Sequence, residues 1–188
     1  MNIDKKLDLI FPKISDPGFL NNRGLGNEIG FYIFDYVPKD EMIVREYISI
    51  LLAKMNNPAV NIKTIEIDLY EAILEILGRK KILEKISPDE KKSGFDSIIR
   101  RLKPILKSAA LVEIIKERIA DDVRLVFLTG VGKSFPLLRS HNILNNLHNV
   151  IIKQPLLMFF PGEYDQRELK LFGLFKDDNY YRAFHLID

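Results

Sequence analysis

Apolar residues along this chain recur with two different periods, and the switches between them mark the elements. Residues 29–36, IGFYIFDY, are apolar and aromatic almost without a break, the pattern of a strand covered on both faces in a parallel sheet. In VPKDEMIVREYISILLAKMNN the period lengthens. A proline and acids suit a first helical turn, Ile43, Val44, Tyr47, Ile48, Leu51, Leu52 and Met55 share one stripe, and Asn56, Asn57 and Pro58 stop it. VNIKTIEIDLY alternates in part through Ile62, Ile65, Ile67 and Leu69, which predicts a second strand leading into a short helix, EAILEILG, that closes at Gly78. Ser87-Pro88-Asp89-Glu90 has the form of a capping box with proline at the first helical position, so a helical region is expected to begin there. Gly94 divides that region. Beyond it Phe95, Ile98, Ile99, Leu102, Ile105, Leu106 and Ala109 keep helical spacing, and Pro104 within the stripe predicts a kink or a break. VRLVFLTG reads as a third strand, PLLRSHNILNNLHN as a helix starting at Pro136, and QPLLMFFPG as a fourth strand. LKLFGLF and NYYRAFHLI are each candidates for a further strand.

Alternating strands and helices, with strands that are hydrophobic on both faces, predict an α/β fold: a single domain over 1–188 with a mostly parallel open sheet of about five strands flanked by helices. Residues 1–23 read as an N-terminal extension and 79–120 as a basic helical insertion. Ligands of such sheets sit beyond the carboxyl ends of the strands, which singles out Asp35, Tyr36, Asp68, Tyr70, Thr129, Gly130, Gly162, Glu163, Tyr164 and Asp165.

Composition narrows the setting. With 188 residues, 47% of them hydrophobic, the chain can bury a substantial core. It has no cysteine, which removes disulfide frameworks and zinc-thiolate sites. The N-terminal stretch lacks the apolar core of an export signal, and no run approaches the roughly 20 apolar residues that span a bilayer, so a cytoplasmic protein without a membrane segment is expected. Charge is uneven: residues 79–107 hold ten Lys/Arg against four Asp/Glu, an excess of six in a chain whose net charge is +2. Such a segment is most often a solvated face, and otherwise a contact for nucleic acid or an acidic partner.

The stretch LTGVGKSFPLLRSH ends like a phosphate-binding loop but lacks its first glycine, since the required position holds Phe127, inside a strand. Pro136 pushes Phe135 out of helical geometry, so the helix is expected to start at Pro136 and to leave Lys133 and Ser134 before it. The topology is thus Rossmann-like or P-loop-like without a working Walker A motif. Gly130 and Gly132 are read as a tight strand-to-helix turn. The following helix carries Arg139, Asn142 and Asn146 on one polar side, suited either to partner contact or to internal scaffolding; His141 and Asn145 lie one turn apart, and His148 seven residues beyond His141. No acid at helical ligand spacing completes a metal set with these histidines. Asp35, Asp68, Glu163 and Asp165 could converge on magnesium, although carboxylates at such positions more commonly cap helices or turns. In the tail, Arg182 stands among Tyr180, Tyr181 and Phe184, placed either for cation–π stacking within the fold or as an interface anchor.

Several of these segments, taken in order, resemble one family. FYIFDYVPKDE, IDLYE, FLTGVGKSFPLLRSHNILNNL, PLLMFFPGEYD and LKLFGLFKDDNYYRAF are similar to the BrxB family, the small accessory protein of BREX (bacteriophage exclusion) systems, across residues 24–186. The motif positions that carry over are Gly130, Gly132, Pro136, Arg139, His141, Asn145, Asn146, Pro161, Gly162, Tyr164, Tyr180, Tyr181 and Arg182; Lys133 departs from the motif. The resemblance implies a part in prokaryotic anti-phage defence beside a PglZ-type protein, a large ATPase and an adenine methyltransferase, and brings no catalytic residue and no cofactor.

The expectation is therefore a non-catalytic adaptor that docks onto the PglZ-like component. Arg139, His141, Asn142, Asn145, Asn146, Tyr164, Tyr180, Tyr181 and Arg182 would form its partner surface, and Gly130, Gly132, Pro136, Pro161 and Gly162 its structural turns. The ATPase and methyltransferase are further candidate partners. Rival readings are a nucleotide- or magnesium-dependent enzyme or sensor at the carboxyl edge, and a DNA-binding accessory that uses residues 79–107.

Overall fold

A computed structural model of the chain describes residues 2–21, 30–106, 108–147, 151, 153–177 and 183–187, with the backbone alone for 108, 140–142 and 177. Five strands run parallel: β1 (Phe31–Tyr36), β2 (Thr64–Asp68), β3 (Leu125–Thr129), β4 (Leu156–Tyr164) and β7 (Phe184–His185), in the spatial order β2-β3-β4-β1-β7. Short antiparallel strands β5 (Leu169–Leu171) and β6 (Phe175–Asp177) extend the far end of β4. The fold is the α/β domain with a mostly parallel sheet that the patterning predicts.

Strand periodicity sorts the apolar side chains onto two faces. Phe31 and Ile33 of β1, Val126 and Leu128 of β3, and Leu156, Met158 and Phe160 of β4 point to one side. There they meet α5 (Leu69–Arg79), α7 (Phe95–Leu102), α8 (Ser108–Arg118) and α10 (Ser140–Leu147). Tyr32, Phe34 and Tyr36, Leu125 and Phe127, and Leu157 and Phe159 point to the other side, against α4 (Glu41–Met55). That second layer is aromatic: Phe159 stands edge-on to Phe34 at 5.8 Å and to Phe127 at 5.4 Å between centroids. Each such ring, once buried, contributes about 1.5–3 kcal/mol, so continuous apolar strands cost nothing in solubility here.

The N-terminal residues are integral to this second layer rather than an appendage. Helices α1 (Ile3–Asp8), α2 (Ile10–Ile14) and α3 (Pro17–Leu20) bury Leu7, Ile10, Ile14, Phe19 and Leu20 against β1 and α4. Lys6 reaches across to donate to the Asp35 carboxylate at 2.9 Å and to its carbonyl at 2.7 Å.

Three local expectations fail. The helix expected from Ser87 begins earlier: α6 spans Leu83–Ser93 with Pro88 inside it. Ile82 and Ile86, one turn apart and both packed against the core, fix the start, and the backbone bond that Pro88 cannot make is lost in a helix with no buried residue. Gly94, at φ 80°, does end α6, and Pro104 follows a complete break after α7. Secondly, helix formation resumes immediately after Gly130, as the short α9 (Val131–Ser134), and not at Pro136. Gly130 adopts φ 71°, a conformation open to glycine at little cost, and its carbonyl accepts from the Ser134 amide at 3.0 Å. Phe135 is then extended, as the following proline requires, so α9 stops and α10 starts only at Ser140. Thirdly, Pro161 and Gly162 form no turn; β4 runs straight through them.

Candidate functional site

The carboxyl edge of the sheet is crowded with charge, and its charged groups are held by partners within the fold. Asp68 caps α5, accepting from the Tyr70 and Glu71 amides at 2.8 and 3.2 Å, while its other oxygen takes the Lys133 ammonium. Thr129 donates to Glu66 at 2.6 Å. Tyr36 donates to Glu41 at 2.6 Å, and Arg45 holds the same carboxylate at 2.7 Å. Burial, then the hydrogen bond to Glu41, pushes the Tyr36 phenol far above its ordinary range, which keeps it a donor. The crevice these residues line encloses about 190 Å³.

The four carboxylates considered for magnesium do not converge. Asp35 receives Lys6 and the Tyr164 amide, Asp68 is a cap, and Asp165 accepts the Arg167 and Glu168 amides at 2.9 and 2.7 Å. Those two amides hold the Asp165 carboxyl below its usual range. Glu163 lies exposed on the hairpin, 3.8 Å from Lys170. Among the described residues no three His, Asp or Glu side chains come together in a group able to hold a metal.

Lys133 and Ser134 do lie in a first helical turn after a strand, contrary to expectation. Lys133 is nevertheless turned onto Asp68, and the buried Ser134 hydroxyl donates to the Val131 carbonyl at 2.8 Å. The neighbouring glycines serve close packing between segments distant in sequence. A Cβ on Gly132 would stand 3.0 Å from the Phe172 ring and 3.1 Å from Pro161; one on Gly162 would stand 2.3 Å from the Lys170 carbonyl. Tyr164, expected on a partner surface, is buried: its hydroxyl donates to the Ala183 carbonyl at 2.8 Å, and its own carbonyl accepts from His185 at 2.5 Å. Its apolar ring neighbours and these bonds make it a pin between β4 and β7.

The remaining partner candidates divide. Arg139 lies in the turn before α10 and not on the helix, yet it lines the same cleft as Asn146, so the structure brings these two together. Asn145 is exposed on α10 and outside that lining. Tyr180, Tyr181, Arg182 and His148 lie outside the described residues, as do the side chains of His141 and Asn142. The cleft, about 650 Å³, separates α8 from the Pro136–Leu147 segment. Its deep residues include Leu106, Ile143 and Leu147, and its walls include Ala109, Val112 and Leu137. Sequence reasoning missed Lys103 at its rim and the wall on α8. A signal existed: Leu111, Ile114 and Ile115 already supply α8 with a core stripe, so Ala109 and Val112 form a second apolar pair one turn apart.

The basic segment is less available than its count suggests. Arg79 bridges Glu75 and Glu117, each at 2.6 Å, Arg118 binds Glu75, and Arg101 binds Asp89 at 2.9 Å. Arg118, followed by Arg79, holds the Glu75 carboxyl below its ordinary range, and Arg79 does the same for Glu117.

No helix among the described residues is long and apolar enough to cross a membrane. The family model described as BREX protein BrxB matches residues 65–186. A BREX protein BrxB of Bacillus cereus (strain H3081.97) is 52% identical, over 99% of this chain and 98% of its own length. Another, of Escherichia coli O9:H4 (strain HS), is 33% identical over 98% of this chain and 92% of its own. No solved structure matches. Extent and identity together carry the resemblance through: the chain belongs to the BrxB family of BREX proteins, and thereby to a phage-defence system.

Proposed function

We propose that the chain is a non-catalytic adaptor of a BREX assembly that docks onto its PglZ-like component through the face between α8 and α10. One observation carries this reading: a cleft of about 650 Å³ lies among Pro136, Arg139 and Asn146, away from the carboxyl edge, where Lys133 and Arg45 are each already held by a carboxylate. An apolar cleft with a few polar groups at its mouth suits recognition more than chemistry. Tagged chain should retain the PglZ-like protein through washing, and Arg139→Glu should reduce that retention. Failure to retain it, or retention indifferent to Arg139→Glu, counts against this partner and face.

The placement of Lys133 and Ser134 at the head of α9 favours one competing reading, a nucleotide or magnesium sensor at the carboxyl edge. Calorimetry with ATP and magnesium separates the two. Saturable heat that disappears in Lys133→Ala would replace the adaptor reading.

A further inference from the structure

Building on the docking reading above, we infer that the cleft between α8 and α10 receives an acidic amphipathic helix of the partner protein. The shape supplies the first part. Ala109 and Val112 on the α8 wall are spaced about one helical turn apart, with Leu137 on the other wall, so an inserted helix would meet apolar positions at its own repeat. The deep residues Leu106, Ile143 and Leu147 are almost wholly buried, so they form a firm apolar base. Charge supplies the second part. Among the described residues the lining holds two cations, Lys103 and Arg139, and no Asp or Glu. Both are exposed, and neither has an ion-pair partner among the described residues, unlike Arg79, Arg101 and Lys133. Carboxylates flanking the apolar stripe of the incoming helix would satisfy them.

Two other occupants fit less well. Nucleic acid would face apolar walls where it needs cations along its backbone. A second copy of this chain could offer the exposed Met42, Ile43 and Ile50 of α4, but that helix sets Arg45 and Lys54 against Glu41 and Glu46 and so brings no excess of acid to the cations of the cleft.

The test uses the full chain and two labelled peptides of about 18 residues, long enough to sustain a helix. Both carry leucine at i, i+3, i+4 and i+7, one with glutamate elsewhere and one with lysine. The glutamate peptide should bind saturably and the lysine peptide should not. Lys103→Glu combined with Arg139→Glu should weaken the glutamate peptide by about tenfold or more and admit the lysine peptide, since each reversal turns a rim attraction into a repulsion. Equal binding of the two peptides, or binding of the glutamate peptide unchanged in the double variant, overturns the inference. So does displacement of the bound peptide by duplex DNA, or a concentration-dependent dimer that the double variant abolishes. The partner assignment fails separately. If the double variant loses the PglZ-like protein while neither peptide binds the wild type, the face stands and its acidic occupant does not. If the glutamate peptide binds but the PglZ-like protein is never retained, the groove stands and the named partner does not.

Discussion

The carboxyl edge of the sheet and the cleft beside α10 hold similar ingredients and put them to opposite uses. At the edge, Lys133 and Arg45 each sit on a carboxylate, Asp68 caps a helix while it does so, and glycines let backbone segments touch. At the cleft, Lys103 and Arg139 stand over apolar walls with nothing opposite them among the described residues. A group already satisfied within its own fold can hold that fold together but has little left for another molecule. An unsatisfied one contributes nothing to folding and is available for binding. Substitutions at the edge should therefore destabilise the protein, and those at the cleft should separate it from its partner.

The greatest loss is expected from Gly162→Ala. The new methyl would sit 2.3 Å from the Lys170 carbonyl and 2.8 Å from the Phe160 ring, both inside the fold, and destabilisation of ~3 kcal/mol or more should appear in denaturant melts. Asp68→Ala should cost ~2 kcal/mol, because it removes the cap of α5 and leaves Lys133 without its partner. A double-mutant cycle with Lys133→Ala isolates the second contribution; a coupling of zero would show the pair to be incidental. A smaller effect concerns acid. Glu75 and Glu117 have carboxyls held low in the folded chain, so their contribution is complete above the ordinary glutamate value of 4.5 and is lost as pH falls through their depressed values. Thermal melts should weaken over that acid range, and Glu75→Gln should flatten the decline. Arg139→Glu is expected to leave stability unchanged within about 0.5 kcal/mol, because the side chain is exposed. A marked drop in its melting temperature would place Arg139 with the edge residues after all.

Much of the architecture was legible because strands buried on both faces leave an unmistakable apolar run: IGFYIFDY and VRLVFLTG contain β1 and β3. What escaped notice depended on contacts distant in sequence. The start of α6 is set by Ile82 and Ile86 lying against the core, which overrides a well-formed capping signal at Ser87. Pro161 and Gly162 look like a turn by residue type, and only the approach of Lys170 and Phe172 reveals that they are the straight middle of a strand. Tyr164 gives no local sign that it is interior, because its partners, Ala183 and His185, are about twenty residues away. On the site side, Arg139 and Asn146 were visible as an unusual polar pair. The cleft that unites them needed α8, whose side of the groove comes from a segment that draws attention by its charge and not by its alanine and valine.

At Pro161–Gly162 a single strand leaves one sheet and enters another: residues 156–161 pair with β1 and residues 162–164 with β5. The hairpin is thus a direct continuation of the sheet's central strand, with no loop between the two sets of pairings. The exposed Leu174 and Phe175 lie at the root of this arm, level with Gly162, and Phe175 packs on Phe135 just past α9 at 4.5 Å between ring centroids, so the arm is tied to the domain at its base by side chains as well as through the backbone of β4.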